Sequence, residues 1–291
     1  MVKLHPLDRK LLRDLWRLRG QVLAIALVMA SGVGVLVMSL TEIEALQETT
    51  RAYYERNRFA QVFAQVERAP NHLLERIRRI PGVQAVEGRV VRVGVLDIAG
   101  FEEPVNGLLV SAPASGEPVL NRLTLLEGRY PRQATADEAG LSEPFAKAHG
   151  LAPGNRLRAL MNGRWRELTV VGIALSPEYV YTIGPGALMP DDKRFGVLWL
   201  NERVLQAAYD LKESFNNVAL DTLRGADRQA IVDRLDDLLG RYGSTGAYER
   251  ADQISNWFLM NEIAQLKTMS AILPTIFLAV AAFLTNMVLA R

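Results

Sequence analysis

Between Arg19 and Glu42 the chain carries no charge, and the run from Val22 to Leu40, VLAIALVMASGVGVLVMSL, is apolar or small at nearly every position. At about 1.5 Å per residue, roughly 20 such residues make a helix about 30 Å long, the thickness of a bilayer's hydrocarbon. A helix buried in a soluble core is usually shorter and keeps a polar face, which this run lacks. It is read as a first membrane span, 21–41. Thr268 to Ala290 is uncharged again and is read as a second span, 268–291, with Pro274 as a kink position near its start.

Charge orients the chain. Ahead of the first span stand Lys3, Arg9, Lys10, Arg13, Arg17 and Arg19 against Asp8 and Asp14, a net +4; from Glu42 to Lys267 there are 27 basic and 30 acidic residues, a net −3. Cations beside a first span hold that end in the cytoplasm, so the N-terminus is expected inside and residues 42–267 outside, across the inner membrane. Leu7, Leu11, Leu12, Leu15 and Leu18 recur at helical spacing with Trp16 beside them and the cations largely opposite. Residues 1–20 are therefore expected to lie as an amphipathic helix in the interface, touching lipid through Lys3, Arg9, Lys10, Arg13, Trp16, Arg17 and Arg19. The apolar run is too long for the core of a signal peptide, so it reads as an uncleaved anchor. Within it Ala26, Ala30 and Gly34 recur every fourth residue, a spacing that lets another helix approach closely. Asn286, polar within the second span, is expected to face another helix.

The absences exclude chemistry. There is no cysteine, hence no disulfide and no thiol catalysis. His5, His72 and His149 fall in no metal-ligand spacing. No GxxxxGK[ST], HExxH, GxSxG or GxGxxG before a helix occurs, and Asp233, Asp236 and Asp237 read as the solvated face of an amphipathic helix. No catalytic residue, metal or cofactor is expected. Nucleic acid accounts poorly for basic residues that cluster where membrane topology needs them.

Between the spans, Glu42 to Phe59 continues as a helical stalk. A strand over Phe59 to Glu67, a helix from Pro70 to Ile80 ended by Pro81-Gly82, and a strand from Val83 to Gly100 form a β-α-β unit. Asn121 to Arg132, centred on LLEGRYP, reads mostly as loop. A strand, a short helix, a Gly-Pro turn and a hairpin at Gly163 follow as a strand-rich subdomain. Ser176 to Phe195 is a long Pro/Gly loop, and Tyr179, Tyr181, Gly184, Pro185 and Gly186 make it the candidate contact loop. Strands at Phe195 to Leu200 and Asn216 to Leu223, helices from Glu202 and Asp227, and a long returning helix from Ala251 complete the chain. The fold class is α+β: two transmembrane helices flank a mixed α/β extracytoplasmic domain on a helical stalk.

This order of parts resembles the FtsX/MacB-like permeases of ABC transporters. The resemblance is carried by LDRKLLRDLWRLRGQVLAIALVMASGVGV, RIRRIPGVQAVEGRVV, LLEGRYP, LSEPFAKAHGLAPGNRL with ELTVVGIALSPEYVY, and EIAQLKTMSAILPTIFLAVAAFLTNMVLAR. It implies a permease that couples ATP hydrolysis by a separate ATPase subunit to movement of a MacB-like periplasmic core domain. It also implies a second permease subunit or half, an envelope partner, and an amphipathic substrate or lipoprotein. Glu42 to Phe59 and Ala251 to Lys267 would be the paired stalk, Phe59 to Ile98 part of a porter-like subdomain, and residues 108–200 the strand-rich one. The family has four core spans and a cytoplasmic loop after the second, so the chain is expected to be the front part of a longer permease or a truncated product. The alternative is a two-span sensor or adaptor with a ligand-binding ectodomain.

Overall fold

The computed structural model describes Arg13, Trp16 and residues 19–113, 117–132 and 135–289. The chain divides into two units, 1–50 with 260–291, and 51–259.

The first unit holds the apolar parts of two long helices. Helix α1 (Arg19–Arg56) runs without a break through the first span and the expected stalk. The returning helix (Ile254–Leu289) carries Pro274 inside it. Only 11% and 17% of their most apolar stretches are buried, so neither is the core helix of a soluble protein, and both present apolar side chains all round as membrane spans do. The two pair where α1 has Gly32. A Cβ there would lie 3.0 Å from the Phe277 Cβ and 3.7 Å from the Pro274 carbonyl oxygen. On the returning helix Ile263, Ser270, Pro274 and Ala281 are buried, a spacing of seven, four and seven that matches a seam of two packed helices. The pairing thus uses a different face from the Ala26, Ala30 and Gly34 stripe. Those three are exposed, and a Cβ on Gly34 would meet nothing within 4 Å. Four-residue spacing identifies a stripe of small residues; it does not say which stripe a neighbour chooses.

The second unit is made of two lobes. After α1 the chain forms β1 (Val62–Pro70), α2 (His72–Arg78) and β2 (Val83–Arg89). Pro70 ends the strand rather than opening the helix. Gly82, at φ +91°, turns the chain after α2, and a Cβ there would stand 2.9 Å from that of Ala226. The expected single strand from Val83 to Gly100 is broken at Val90. Beyond it β3 (Val91–Ile98) belongs to the other lobe, so the β-α-β unit stops at Arg89 and the strand-rich lobe begins at Val91 rather than near 108.

That lobe continues with β4 (Phe101–Ala112), β5 (Thr124–Gly128), β6 (Glu138–Ser142), α3 (Glu143–Ala148), β7 (Arg156–Met161) and β8 (Arg164–Leu175). Then come β9 (Phe195–Asn201) and α4 (Glu202–Ala208). Strand β5 corrects the loop expected over Asn121 to Arg132: Thr124 to Gly128 pairs antiparallel with β8. The strand order is β5-β8-β6-β9-β4-β3-β7, and β8 also pairs with β7. Because β8 gives Arg164–Thr169 to β7 and Thr169–Leu175 to β6 and β5, the order closes into a barrel. Asn162 and Gly163, both at positive φ, make the tight turn between β7 and β8. Phe145, Leu141, Leu168 and Leu198 fill the interior, each fully buried and contributing roughly 1.5–3 kcal/mol.

The chain then returns to the first lobe with β10 (Ser214–Thr222), α5 (Arg228–Leu239), β11 (Ala247–Glu249) and the long helix, now α6. The sheet order is β11-β1-β10-β2, so β10 is inserted antiparallel between β1 and β2. Asp227 caps α5 by accepting the Ala230 N–H at 3.1 Å, and Ile231, Leu235 and Leu239 of that helix are buried against the sheet. Of its aspartates, Asp233 and Asp237 are exposed, whereas Asp236 accepts the Ala247 N–H at 2.6 Å and ties α5 to β11.

Candidate functional site

Alternation along β2 and β10 sends Arg89 and Asn217 to the same place. They are register partners on adjacent strands, and both are buried. A buried guanidinium needs acceptors on all sides, because an unpaired charge in low dielectric costs several kcal/mol. Arg89 finds them. Its Nη1 and Nη2 donate to the two carboxylate oxygens of Glu178 at 2.5 and 2.9 Å, and its Nε and Nη2 donate to Asn217 Oδ1 at 3.1 and 2.6 Å. The two charged side chains are only 7% and 6% exposed. Burial opposes the charge on Arg89, yet Glu178 outweighs it and raises the guanidinium pKa above its ordinary value.

Glu178 comes from the barrel lobe. It sits in a short 3-10 turn, Pro177–Tyr179, that follows β8 and is capped by Ser176 Oγ, which accepts the Glu178 N–H at 3.2 Å. The pair therefore joins the two lobes. Close by, Val90 exchanges hydrogen bonds with Ser111 (Val90 N–H to Ser111 Oγ and Ser111 N–H to the Val90 carbonyl, each 2.9 Å). Asn216 likewise clasps the Val91 backbone with two bonds of 2.7 Å.

Glu178 is reached from the ends of both long helices, at its carboxylate from the α1 side and at its backbone carbonyl from the α6 side. At the C-terminal end of α1, Asn121 donates its N–H to the Arg58 carbonyl at 3.0 Å and accepts the Ala60 N–H on Oδ1 at 2.8 Å. Its Nδ2 donates to Glu178 Oε2 at 2.6 Å. Asn121 holds φ +51°, a left-handed conformation that asparagine tolerates better than most residues. At the N-terminal end of α6, Gln253 accepts the Asn256 N–H at 2.8 Å while its Nε2 donates to the Glu178 carbonyl oxygen at 2.7 Å. Ser255 Oγ accepts the Tyr181 N–H at 2.9 Å. Tyr54 of α1 and Phe59 lie edge to face at 4.6 Å, and the Arg250 guanidinium stands 5.5 and 5.4 Å from their ring centres. Among the described residues the buried Tyr54 hydroxyl has no hydrogen-bond partner, and burial pushes its pKa up to about 12 against the pull of Arg250.

The sequence placed its contact site in the loop that contains this turn, and the structure divides that loop in two. Tyr179 faces inward, packed against Val110, Ala174 and Trp199, and its hydroxyl donates to Glu178 Oε1 at 3.1 Å. Burial raises its pKa well above the tyrosine range, and the Glu178 charge adds to that. Tyr181 lies against Phe258 of α6, ring centres 6.4 Å apart. Gly184 backs onto the Phe195 ring, and Gly186 turns at φ +76° in open space. Pro185 and Gly186 are exposed, as expected, and beside them stand Leu188 and Met189, 89% and 74% exposed, which the sequence reading did not single out. An open groove of about 720 Å³ runs beside them, lined by Asn106, Pro185, Asp191 and Phe195 among others. The loop is pinned by Thr182 donating to Asp192 at 2.7 Å and by His149 Nε2 against the Lys193 carbonyl at 2.8 Å.

Of the interface cations, Arg13 and Arg19 are exposed with Trp16, and the Arg19 guanidinium lies 5.3 Å over the Trp16 ring. Lys3, Arg9, Lys10 and Arg17 fall outside the described residues. Asn286 is exposed on α6, so the helix it was expected to face is not α1.

No family model matches this chain, and no curated protein matches it. Among solved structures it is similar to the periplasmic region of MacB from Actinobacillus actinomycetemcomitans, at 11% identity over 70% of this chain and 95% of that one, TM-score 0.42. It is similar also to the extracellular domain of the noncanonic ABC-type transporter YknZ from Gram-positive bacteria, at 12% identity over 65% of this chain and 98% of that one, TM-score 0.40. A third is a domain of a protein described as a permease from Porphyromonas gingivalis, at 14% identity over 70% of this chain and 96% of that one, TM-score 0.40.

Proposed function

We propose that the chain is a permease subunit of an ABC transporter of the FtsX/MacB type. It relays movement of its membrane helices to an extracytoplasmic domain rather than performing chemistry of its own. The observation that carries this reading is the convergence on Glu178. The ends of two helices apolar enough to span a membrane are each tied by one side chain to Glu178, whose buried ion pair with Arg89 joins the two lobes of the domain between them. A domain that merely bound a ligand would not require both helix ends to meet at the junction of its lobes. In this reading the energy comes from a separate ATPase subunit, a second permease subunit or half completes the membrane unit, and the substrate is amphipathic or a lipoprotein. The Leu188–Met189 loop faces an envelope partner.

The test uses the full chain in its native membranes. Purified in mild detergent, it is expected to carry ATP hydrolysis with it, and the rate is expected to change when residues 61–249 are replaced by a short Gly-Ser linker. A chain that elutes without ATPase, or a rate indifferent to the replacement, would overturn the reading. Because the chain has no cysteine, Leu188→Cys gives a single label site. An impermeant maleimide is expected to reach it in spheroplasts without permeabilising the inner membrane.

A further inference from the structure

We propose that Arg89–Glu178 is a two-key latch: the ends of α1 and α6 are each tied to it by one side chain, Asn121 and Gln253, and release of either lets the barrel lobe swing from the sheet lobe. The proposal rests on the reading above for what moves the helices, and on the geometry alone for the latch.

The chain crosses between the lobes only twice, and the joint is closed by the apolar packing of Leu120 on Phe59, Phe63 and Ala219 together with the polar contacts around Glu178. Glu178 is the shared element. Asn121 transmits the position of α1, since one side chain bonds both Ala60, just past the end of that helix, and the Glu178 carboxylate. Gln253 transmits the position of α6, since one side chain bonds both the Asn256 N–H in its first turn and the Glu178 backbone. The two keys are separate residues on separate segments and do not bond each other. A buried ion pair adds little to stability compared with apolar residues of the same volume, but it tolerates no misalignment, because a displaced partner leaves a charge unpaired in low dielectric. Such a joint has two states and no comfortable intermediate.

The test is a distance measurement on the full chain in lipid nanodiscs, with spin labels at Arg76→Cys on the sheet lobe and Arg164→Cys on the barrel, both exposed. One narrow distance is expected with the latch intact. Asn121→Ala and Gln253→Ala are each expected to add the same second distance in about a tenth of molecules or more, the range of a minor state a few kcal/mol away made visible. A single unchanged distance in both Asn121→Ala and Gln253→Ala would overturn the latch, and so would two unrelated second distances. Neither outcome bears on whether an ATPase is present, so failure of the latch and failure of the transporter reading are distinguishable.

Discussion

The sheet lobe and the barrel lobe are built from different parts of the chain, and the difference says how movement can enter each. The sheet lobe is assembled from the segments adjoining the helices. β1 follows α1, β11 precedes α6, and the two are paired side by side, with β10 on the other edge of β1. The barrel is the stretch between, β3 to α4, closed on itself around its own core. A shift of either helix therefore reaches the sheet lobe along the backbone. It reaches the barrel through the packing of Leu120 on Phe59 and Phe63 and across hydrogen bonds, those of Val90, Ser111 and Asn216 and those that meet at Glu178.

If the lobes are distinct cooperative units, damage should stay where it is made. The largest effect is expected for Phe145→Ala, which empties a fully buried ring site in the barrel and should cost about 3–5 kcal/mol. Amide exchange should accelerate throughout β6 to β9 and stay slow in β1 and β10. Equal acceleration in both lobes would show that they unfold together.

A smaller, pH-dependent effect is expected at Glu138. Its carboxylate takes two bonds from Arg129, at 2.6 and 2.7 Å, and the Arg132 N–H at 2.8 Å, clamping the connection into β6. The Arg129 bonds hold its pKa down at about 2, with burial opposing. A carboxylate depressed in the folded state stabilises above its unfolded pKa, near 4.5, and that stability is lost as pH falls towards 2. Glu138→Gln should therefore lower barrel stability by about 2–3 kcal/mol at pH 7, with the deficit shrinking steadily below pH 4.5 in denaturant titrations. A deficit that does not change with pH would show that the carboxylate charge is not what holds the connection.

The smallest effect belongs to the sheet lobe. Asp227→Ala removes the cap of α5 and should cost about 1 kcal/mol, visible as faster exchange in α5 and unchanged barrel protection.

Much of this architecture was legible in the sequence, and the misses share a cause. The spans announce themselves because an uncharged run of about 20 residues suits a bilayer and little else. Gly163 and Asn201 read correctly, as hairpin turn and helix cap, because their signals are local. Three features that depend on remote partners did not read. Thr124 to Gly128 is strand only because β8 is long enough to accept β5 beyond the reach of β7. The packing glycine of α1 proved to be Gly32, because α6 and not α1 decides which face is used. The junction is the extreme case. Arg89, Asn121, Glu178, Asn217 and Gln253 each look like ordinary polar residues, and only the folding of both lobes links them in a chain of bonds of 3.1 Å or less. The one local hint was a polar turn, NR at 121–122, set between apolar residues.

The convergence of both helix ends on Glu178 is tested most directly by native-state hydrogen exchange in the full chain, read at two amides. Tyr181 N–H belongs to the α6 side, bonded to Ser255, and Ala60 N–H to the α1 side, bonded to Asn121. Coupling between sites is reciprocal. Asn121→Ala should therefore speed exchange at Tyr181, and Gln253→Ala should speed exchange at Ala60, by matching factors of about threefold or more, the lower end of coupling within one network. If each substitution accelerates only the amides on its own side, the two helices do not meet at Glu178 in any energetic sense, and the relay through it is contradicted.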